Sequence, residues 1–184
     1  LMITLYEVNA DKKALKKSIK IMNDTWELFF NKETQLFQKN IIKDNDLFAS
    51  PLDLNDSNIP NGNSVYLLIS NKLYSITNDK IWSERNEVLK KSFHQVLNSY
   101  YSQMFSFIKT LDICDNSLSF TFSGTSQSIK EIQLYLQKEY LGVGTFVYQL
   151  NNDTKPSVIV CKNQTCSNKL TNINEAVEYL SKSY

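Results

Sequence analysis

The stretch "SLSFTFSGTSQS", residues 117–128, divides this sequence into two parts of different character. Leu118, Phe120 and Phe122 alternate with small polar residues, a spacing of two that is typical of a β-strand with one buried face. The glycine-containing "SGTSQS" that follows has the composition of a turn. The stretch therefore predicts that a strand enters the fold here, after a long region whose apolar spacing is helical.

Downstream of this stretch, strand and helix patterns alternate. Ser128 and Glu131 have the spacing of a capping box, which predicts a helix near 127–140. Two further strand patterns follow, at residues 144–150 and 157–161. A second cap pair, Asn172 with Glu175, then opens a last helix. We therefore expect a small β-α-β-β-α unit, in which one or two helices cover a sheet.

Upstream, residues 12–30 carry the clearest helical pattern. Apolar side chains recur there in steps of three and four, at Leu15, Ile19, Met22, Trp26 and Phe29. A second apolar strip runs beside the first, at Ile21, Leu28 and Phe30. Because a helix that is apolar over so much of its circumference is usually covered on more than one side, we expect neighbours on two sides of it.

Further helical patterns fill most of the upstream part: the end of a helix at residues 1–8, and helices at 63–76, 79–98 and 102–111. The first of these has no start signal, so we expect a chain cut from something longer. Residues 32–60 are irregular, apart from a short extended segment within 32–40. The predicted fold is mainly α with an α/β appendage: αα-hairpins in 1–113, then the small unit in 114–184.

Composition excludes several classes of function. The 184 residues carry a net charge of +1, which argues against a nucleic-acid binder. The one basic cluster has helical spacing opposite an apolar stripe and is interpreted as a solvated face: Lys12, Lys13, Lys16, Lys17 and Lys20. No apolar run is long enough to span a bilayer, and no signal peptide is visible. Three cysteines, an odd number, favour a reducing cytoplasm.

The pair Cys161 and Cys166 admits three interpretations. A zinc site is disfavoured, because Cys114 and His94 are the remaining Cys or His ligands and form no second close pair. A disulfide or reversible redox pair is possible if the strand turns back on itself. The favoured interpretation is that Cys161 is a buried small hydrophobe at a strand end and that Cys166 lies in the turn beyond it. We expect no metal and no cofactor.

The segment from Asp53 to Ser64 is the best candidate for a functional surface. It places polar side chains around the start of a helix: Asp53, Asp56, Asn61, Asn63 and Ser64. Such a loop can reach a cavity and bind sugar hydroxyls through carboxylates and amides. The competing and favoured interpretation is a turn followed by an N-cap, in which Asn63 or Ser64 bonds the first free amides.

Two further features, a single histidine and a strand–glycine–helix passage, are weaker candidates for a site. His94, the only histidine, has Lys90, Lys91 and Asn98 as helical neighbours and is interpreted as solvated rather than as a general base. The strand–glycine–helix passage around residues 122–128 could bind an anion at a helix N-terminus, but capping by Ser126 would explain it equally well. No catalytic constellation can be assembled, so enzymatic activity stays open.

Two segments together resemble a known family. These are "IPNGNSVYLL" (59–68) and "VIVCKNQTCSNKLTNINEAVEYL" (158–180), separated by helices and a β-α-β passage. They resemble the C-terminal end of thioredoxin-domain-containing proteins of the YyaL and spermatogenesis-associated type, which carry Pro-Ser-Gly-Asn-Ser and Cys-Glu-Asn-x-x-Cys segments. The chain departs from that pattern at three positions: Asn61, Lys162 and Ile173.

The resemblance implies that residues 1–113 are the closing hairpins of an (α/α) toroid, similar to the ring of N-acylglucosamine 2-epimerases. It implies a structural, non-catalytic part of a protein of undefined molecular function, with the remainder of that protein as its partner. Two alternatives stay open: carbohydrate chemistry in the ring cavity, with Asp56 and Asn63 contributing, and a redox module that uses Cys161 and Cys166. Uncovered apolar helix faces would also allow self-association.

Overall fold

The computed structural model describes residues 1–41, 51–140, 142–162 and 165–183, which fold as two compact units, Leu1–Cys114 and Asp115–Tyr184. Part of the predicted irregular region, residues 42–50, lies outside the described residues. In chain order the elements are α1 (Met2–Asn9), α2 (Lys12–Phe29), β1 (Phe30–Asn31), β2 (Leu36–Phe37), α3 (Gly62–Thr77), α4 (Lys80–Tyr100), α5 (Phe105–Asn116), β3 (Ser119–Gly124), α6 (Ser126–Glu139), β4 (Thr145–Leu150), β5 (Ser157–Lys162), β6 (Thr165–Cys166) and α7 (Ile173–Ser183).

A tight turn separates α1 from α2. Ala10 adopts a left-handed conformation with φ of 53°, and its N–H donates to the carbonyl of Tyr6 at 2.8 Å, which closes α1. Asp11 is the N-cap of α2, because its Oδ1 accepts from the N–H of Lys13 at 2.8 Å. The helix predicted at 12–30 is thereby confirmed to within one residue.

A short antiparallel ladder follows α2. Phe30 pairs with Phe37, and Asn31 pairs with Leu36. The side chain of Asn31 accepts from two backbone amides of the connecting turn, which fixes the reversal. The extended segment predicted within residues 32–40 is therefore confirmed as β2, and its partner strand continues directly from α2.

Helices α3, α4 and α5 complete the first unit. Asn78 ends α3 in a left-handed conformation, and Asp79 caps α4 by accepting from the N–H of Ile81 at 3.2 Å. The helix predicted at 102–111 begins later, at Phe105, because a 3₁₀ turn precedes it over Tyr101–Gln103.

One apolar core unites these elements. Its fully buried side chains include Leu36, Leu67, Leu73, Leu89, Phe93, Met104 and Phe107. The rings of Phe93 and Phe107 stack with centroids 3.7 Å apart, which joins α4 to α5. A nearly buried ion pair, Glu7 with Lys72, ties α1 to α3 through two bonds of 2.8 and 2.9 Å.

The second unit is built on a four-stranded sheet in the order β4-β3-β5-β6. Strand β3 pairs parallel with β4 and antiparallel with β5. Its predicted span of 117–122 is shifted by two residues toward the C-terminus, because Gly124 still pairs with Leu150. The two-residue strand β6 was not predicted, and it pairs antiparallel with the end of β5.

Helices α6 and α7 contribute to the core of this second unit. The buried side chains are Leu118, Phe120, Phe122, Ile129, Ile132, Leu136, Tyr140, Val158, Val160, Ala176 and Leu180. The predicted capping box of Ser128 with Glu131, and the suggested cap at Ser126, are wrong. The N-cap of α6 is Thr125, whose Oγ1 accepts from the N–H of Ser128 at 3.1 Å. The cap pair of Asn172 and Glu175 before α7 is confirmed by a reciprocal set of bonds.

The described residues are thus mainly helical, with a small mixed sheet confined to the second unit. This confirms the predicted class of a mainly α chain with an α/β part. The lysines assigned to a solvated helix face are all exposed. Membership of the helices in a closed ring stays a prediction.

Candidate functional site

The start of α3 is organised by Asn61. Its Oδ1 accepts from the backbone N–H of Ser64 at 2.9 Å and from the hydroxyl of Ser64 at 2.8 Å. Asn61 is therefore the N-cap, and the assignment of the cap to Asn63 or Ser64 is wrong by two or three residues. The segment resembling the family motif supplies both partners of this cap, so its local role is to start the helix.

The carboxylate of Asp56 connects this cap to α5. Oδ1 accepts from the N–H of Asn61 at 3.0 Å, from the Nδ2 of Asn61 at 2.9 Å and from the hydroxyl of Ser106. Oδ2 accepts from the N–H of Ser106 at 2.7 Å. Burial acts to raise the pKa of Asp56, but the bonds from Ser106 and Asn61 outweigh it and hold the pKa below its usual value.

Asn63 joins the start of α3 to β2. Its side chain is fully buried, accepts from the N–H of Phe37 at 2.9 Å and donates to the carbonyl of Asp53 at 2.7 Å. Asp53 returns to the helix, because its Oδ2 accepts from the N–H of Gly62 at 2.5 Å. A Cβ at Gly62 would lie 2.5 Å from that oxygen, so any larger residue here would displace the Asp53 side chain.

The five predicted site residues therefore meet in one cluster, which we call the α3 clamp: Asp53, Asp56, Asn61, Asn63 and Ser64. Their bonds run to the backbone of β2, to the start of α3 and to Ser106 on α5. Three of the five are buried to 2% exposure or less. The clamp thus holds three segments of the first unit together. Its bonds close within the chain rather than converge on a ligand.

A groove of about 600 Å³ lies beside the clamp, between α2 and α3. Most of its surface is apolar, although seven of its fourteen lining residues have polar side chains. Ile21, Ile59 and Val65 line it and are 46%, 72% and 40% exposed. Asp53 and Asn61 border it, whereas Asp56, Asn63 and Ser64 do not. The expectation that the second apolar strip of α2 would be covered is therefore wrong at Ile21. The second apolar strip of α2 was therefore the pattern in the sequence that could have indicated the groove.

The two cysteines of the second unit are bonded to each other. Cys161 on β5 pairs directly with Cys166 on β6, with Cα atoms 4.0 Å apart, and the sulfurs form a disulfide. Cys161 is half-buried and Cys166 is exposed. The favoured interpretation of a buried, unpaired Cys161 is therefore wrong. The antiparallel return of the chain after β5, which the sequence analysis did not predict, brings the sulfurs together.

A cluster that the sequence analysis missed surrounds Arg85. Its guanidinium lies 4.8 Å from the ring centroid of Trp26 and 5.3 Å from that of Trp82. Nη1 donates to Asn23 Oδ1 at 2.8 Å and to the hydroxyl of Tyr66 at 3.0 Å. Burial raises the pKa of Tyr66 to about 12, although Arg85 acts in the opposite direction. The cluster fixes α4 against α2 and α3.

The remaining candidates from the sequence are His94 and Cys114. His94 is exposed on α4, and Cys114 is not part of a disulfide. Among the described residues, no group of three or more His, Cys, Asp or Glu side chains could hold a metal ion. None of the described helices has both the length and the apolar character needed to cross a membrane.

Comparison with known proteins adds no identification at this point. The chain matches no protein-family model and no curated protein sequence.

Proposed function

We propose that this chain is the C-terminal part of a thioredoxin-domain-containing protein of the YyaL and spermatogenesis-associated type, in which it has a structural role. In this proposal α1–α5 are closing hairpins of an (α/α) toroid and the second unit is its appendage. The two motif segments support this proposal, because each forms a structural device of its own: the α3 clamp and the disulfide-closed β5–β6 hairpin.

The α3 clamp is the observation that carries the structural role. A binding loop presents polar atoms that converge on an empty space, whereas Asp56, Asn63 and Ser64 bond to their own chain. A ligand could use Asp56 or Asn63 only by breaking bonds that join α3 to β2 or α5. Each such bond to a charged or buried group costs about 1–3 kcal/mol to lose.

The carbohydrate alternative is weakened by the same geometry. Most of the surface of the groove beside the clamp is apolar, with contributions from Ile21, Ile59 and Val65. Sugar hydroxyls need several polar groups that converge, and the two residues expected to supply them, Asp56 and Asn63, do not line the groove. The only histidine, His94, is exposed on α4 and makes no contribution there.

Titration calorimetry of the chain tests this proposal. We expect no heat of binding from N-acetylglucosamine, glucose, mannose or Zn²⁺, because the side chains of Asp56, Asn63 and Ser64 are bonded within the chain. Binding of any of these at micromolar affinity would overturn the structural role. The Asn61→Ala variant serves as a control, because a true clamp residue lowers the thermal stability of the chain without creating or removing a binding signal.

The implied partner is the remainder of such a protein. Exposed apolar side chains on α1 support a covering partner, since Leu5 is 38% and Val8 50% exposed. The same side chains would support self-association, which sedimentation equilibrium distinguishes. If the measured mass stays that of a monomer at every concentration, the result favours a different protein as the partner. If the mass rises to that of a dimer formed through this face, the Val8→Ser variant should abolish the dimer.

A further inference from the structure

The disulfide of the second unit differs from a structural cross-link in its exposure and position. It joins Cys161 to Cys166 at a sequence separation of five, on the two-residue edge strand β6. A cross-link constrains the unfolded chain less when the loop that it closes is short, so this disulfide contributes little to the stability of the unit. Cys166 is exposed, and an attacking thiol can therefore reach its sulfur.

The second unit is also held together by contacts other than this bond. Neither cysteine belongs to the buried core, which is formed by residues of β3, β5, α6 and α7 among others. The chain beyond β6 is held to β5 by other means. The N–H of Ser167 donates to the carbonyl of Val160 at 2.8 Å, and Leu170 exchanges two backbone bonds of 2.8 and 2.9 Å with Val158. None of these bonds involves a cysteine sulfur, so opening the disulfide does not remove them directly.

From this geometry we propose that Cys161–Cys166 is a thiol–disulfide exchange site, which small thiols of the glutathione class open and re-form while the unit stays folded. Nothing in this activity requires the chain to belong to a thioredoxin-domain protein. It goes beyond the structural role proposed above and stands independently of it.

The exchange has a defined direction. A glutathione thiolate attacks Sγ of the exposed Cys166, a new S–S bond forms there, and the Sγ–Sγ bond breaks. The electron pair leaves on Sγ of Cys161, which takes a proton from water. A second glutathione thiolate then attacks the glutathione sulfur of the mixed disulfide and releases Cys166 as a thiolate. The pair gains two electrons, and two glutathione molecules are oxidised to one disulfide.

The test is a glutathione titration of the full chain carrying Cys114→Ser, which removes the third thiol. Free thiols are alkylated and counted by mass spectrometry in native buffer, while circular dichroism and hydrogen exchange follow the sheet. We expect complete, reversible reduction with the amide protection of β3 and β5 retained. Resistance of the pair to excess glutathione until denaturant is added would overturn the proposal, and so would loss of β3 and β5 protection upon reduction.

Single-cysteine variants test the direction of attack. On incubation with oxidised glutathione, the Cys161→Ser chain should form a mixed disulfide at Cys166 about tenfold faster than the Cys166→Ser chain forms one at Cys161, because only Cys166 is exposed. Both comparisons use the Cys114→Ser background. Equal rates, or a faster reaction at Cys161, would contradict the assignment of Cys166 as the attacked sulfur.

Discussion

At the scale of single residues, Asp56 joins the loop before α3 to Ser106 on α5, which lies fifty positions later in the sequence. Its two oxygens accept four bonds, two from Asn61 and two from Ser106. The four donors take the place of water around the carboxylate. The arrangement therefore stabilises the fold only while the carboxylate is ionised and all four donors are in place. Substitutions at Asp56 therefore measure the strength of the α3 clamp directly.

The Asp56→Ala variant should lower the free energy of unfolding of the first unit by about 3 kcal/mol, because bonds to a charged acceptor are lost and the backbone N–H groups of Asn61 and Ser106 lose their acceptor. Denaturant titration monitored by tryptophan fluorescence measures this loss. The neighbouring Asn55→Ala variant is the matched control, since Asn55 is exposed, and should change stability by less than about 0.5 kcal/mol. Equal effects of the two variants would show that the clamp is not formed in solution.

Stability should also respond to acid through Asp56. Its pKa in the folded chain lies below its usual value of 3.8, so its contribution is complete above that value. The contribution is lost as pH falls through the folded pKa, where the carboxylate takes up a proton. Unfolding free energies measured below about pH 4 should fall less steeply for Asp56→Asn than for the unsubstituted chain.

The position of the α3 cap shows how far sequence reasoning reaches at this scale. Polar residues at 61, 63 and 64 all suit a helix start, so the sequence alone predicted the clamp region but not its cap. The choice of Asn61 depends on Asp56 and Ser106, which hold its backbone and side-chain amides from a distance. The same limit applies at Thr125, which displaced the predicted cap of α6.

At the scale of elements, the nearly buried ion pair of Glu7 with Lys72 fastens α1 to α3. The side chains are 8% and 14% exposed, and the ammonium contacts both carboxylate oxygens. Burying two charges is costly, so such a pair adds little net stability over an apolar one. Replacing only one member is a different matter, because the other charge then loses this partner in a poorly solvated place.

Replacing one member of this pair, in Glu7→Gln, should therefore cost about 3 kcal/mol of unfolding free energy, while Glu7→Gln combined with Lys72→Met should cost less than the sum of the two single changes. Chemical denaturation of the four chains forms the double-mutant cycle. The pair of Lys20 with Asp24 on the surface of α2 is the control, since its side chains are 75% and 51% exposed. Asp24→Asn should cost less than about 0.5 kcal/mol, and an effect as large as that of Glu7→Gln would refute the role of burial.

Elements also differ in how readily the sequence predicts them. Long periodic segments such as α2 and α4 were predicted, because apolar side chains repeat over several turns. Strand β6 has only two residues and no period to detect, and it exists because it pairs with the end of β5. That pairing brings Cys166 to Cys161, so missing the strand meant missing the disulfide as well.

At the scale of the whole molecule, the change of pattern near residue 117 corresponds to a change of core. The first core is built from helices and the β1–β2 ladder, whereas the second is built on the four-stranded sheet with α6 and α7. No side chain belongs to both cores among the described residues. Local periodicity predicts these two environments, but it contains no information on whether the helices form part of a ring.

Separate cores imply separate responses to substitution, and the tryptophans make this measurable. Both tryptophans of the chain, Trp26 and Trp82, lie in the first unit, so their fluorescence follows only that unit. Val160 is fully buried in the second core. Val160→Ala should destabilise the second unit by about 2 kcal/mol, seen as faster amide exchange in β3 and β5, and leave the fluorescence transition in denaturant unmoved.

The reciprocal variant, Leu89→Ala, removes a fully buried side chain of the first core. It should move the fluorescence transition to lower denaturant by the equivalent of about 3 kcal/mol while exchange in β3 and β5 keeps its rate. This independence holds if each core supplies its own cooperative unit of folding. Val160→Ala could instead lower the unfolding free energy equally by both measurements, the fluorescence transition and amide exchange in the sheet. The two units would then unfold together as a single cooperative domain.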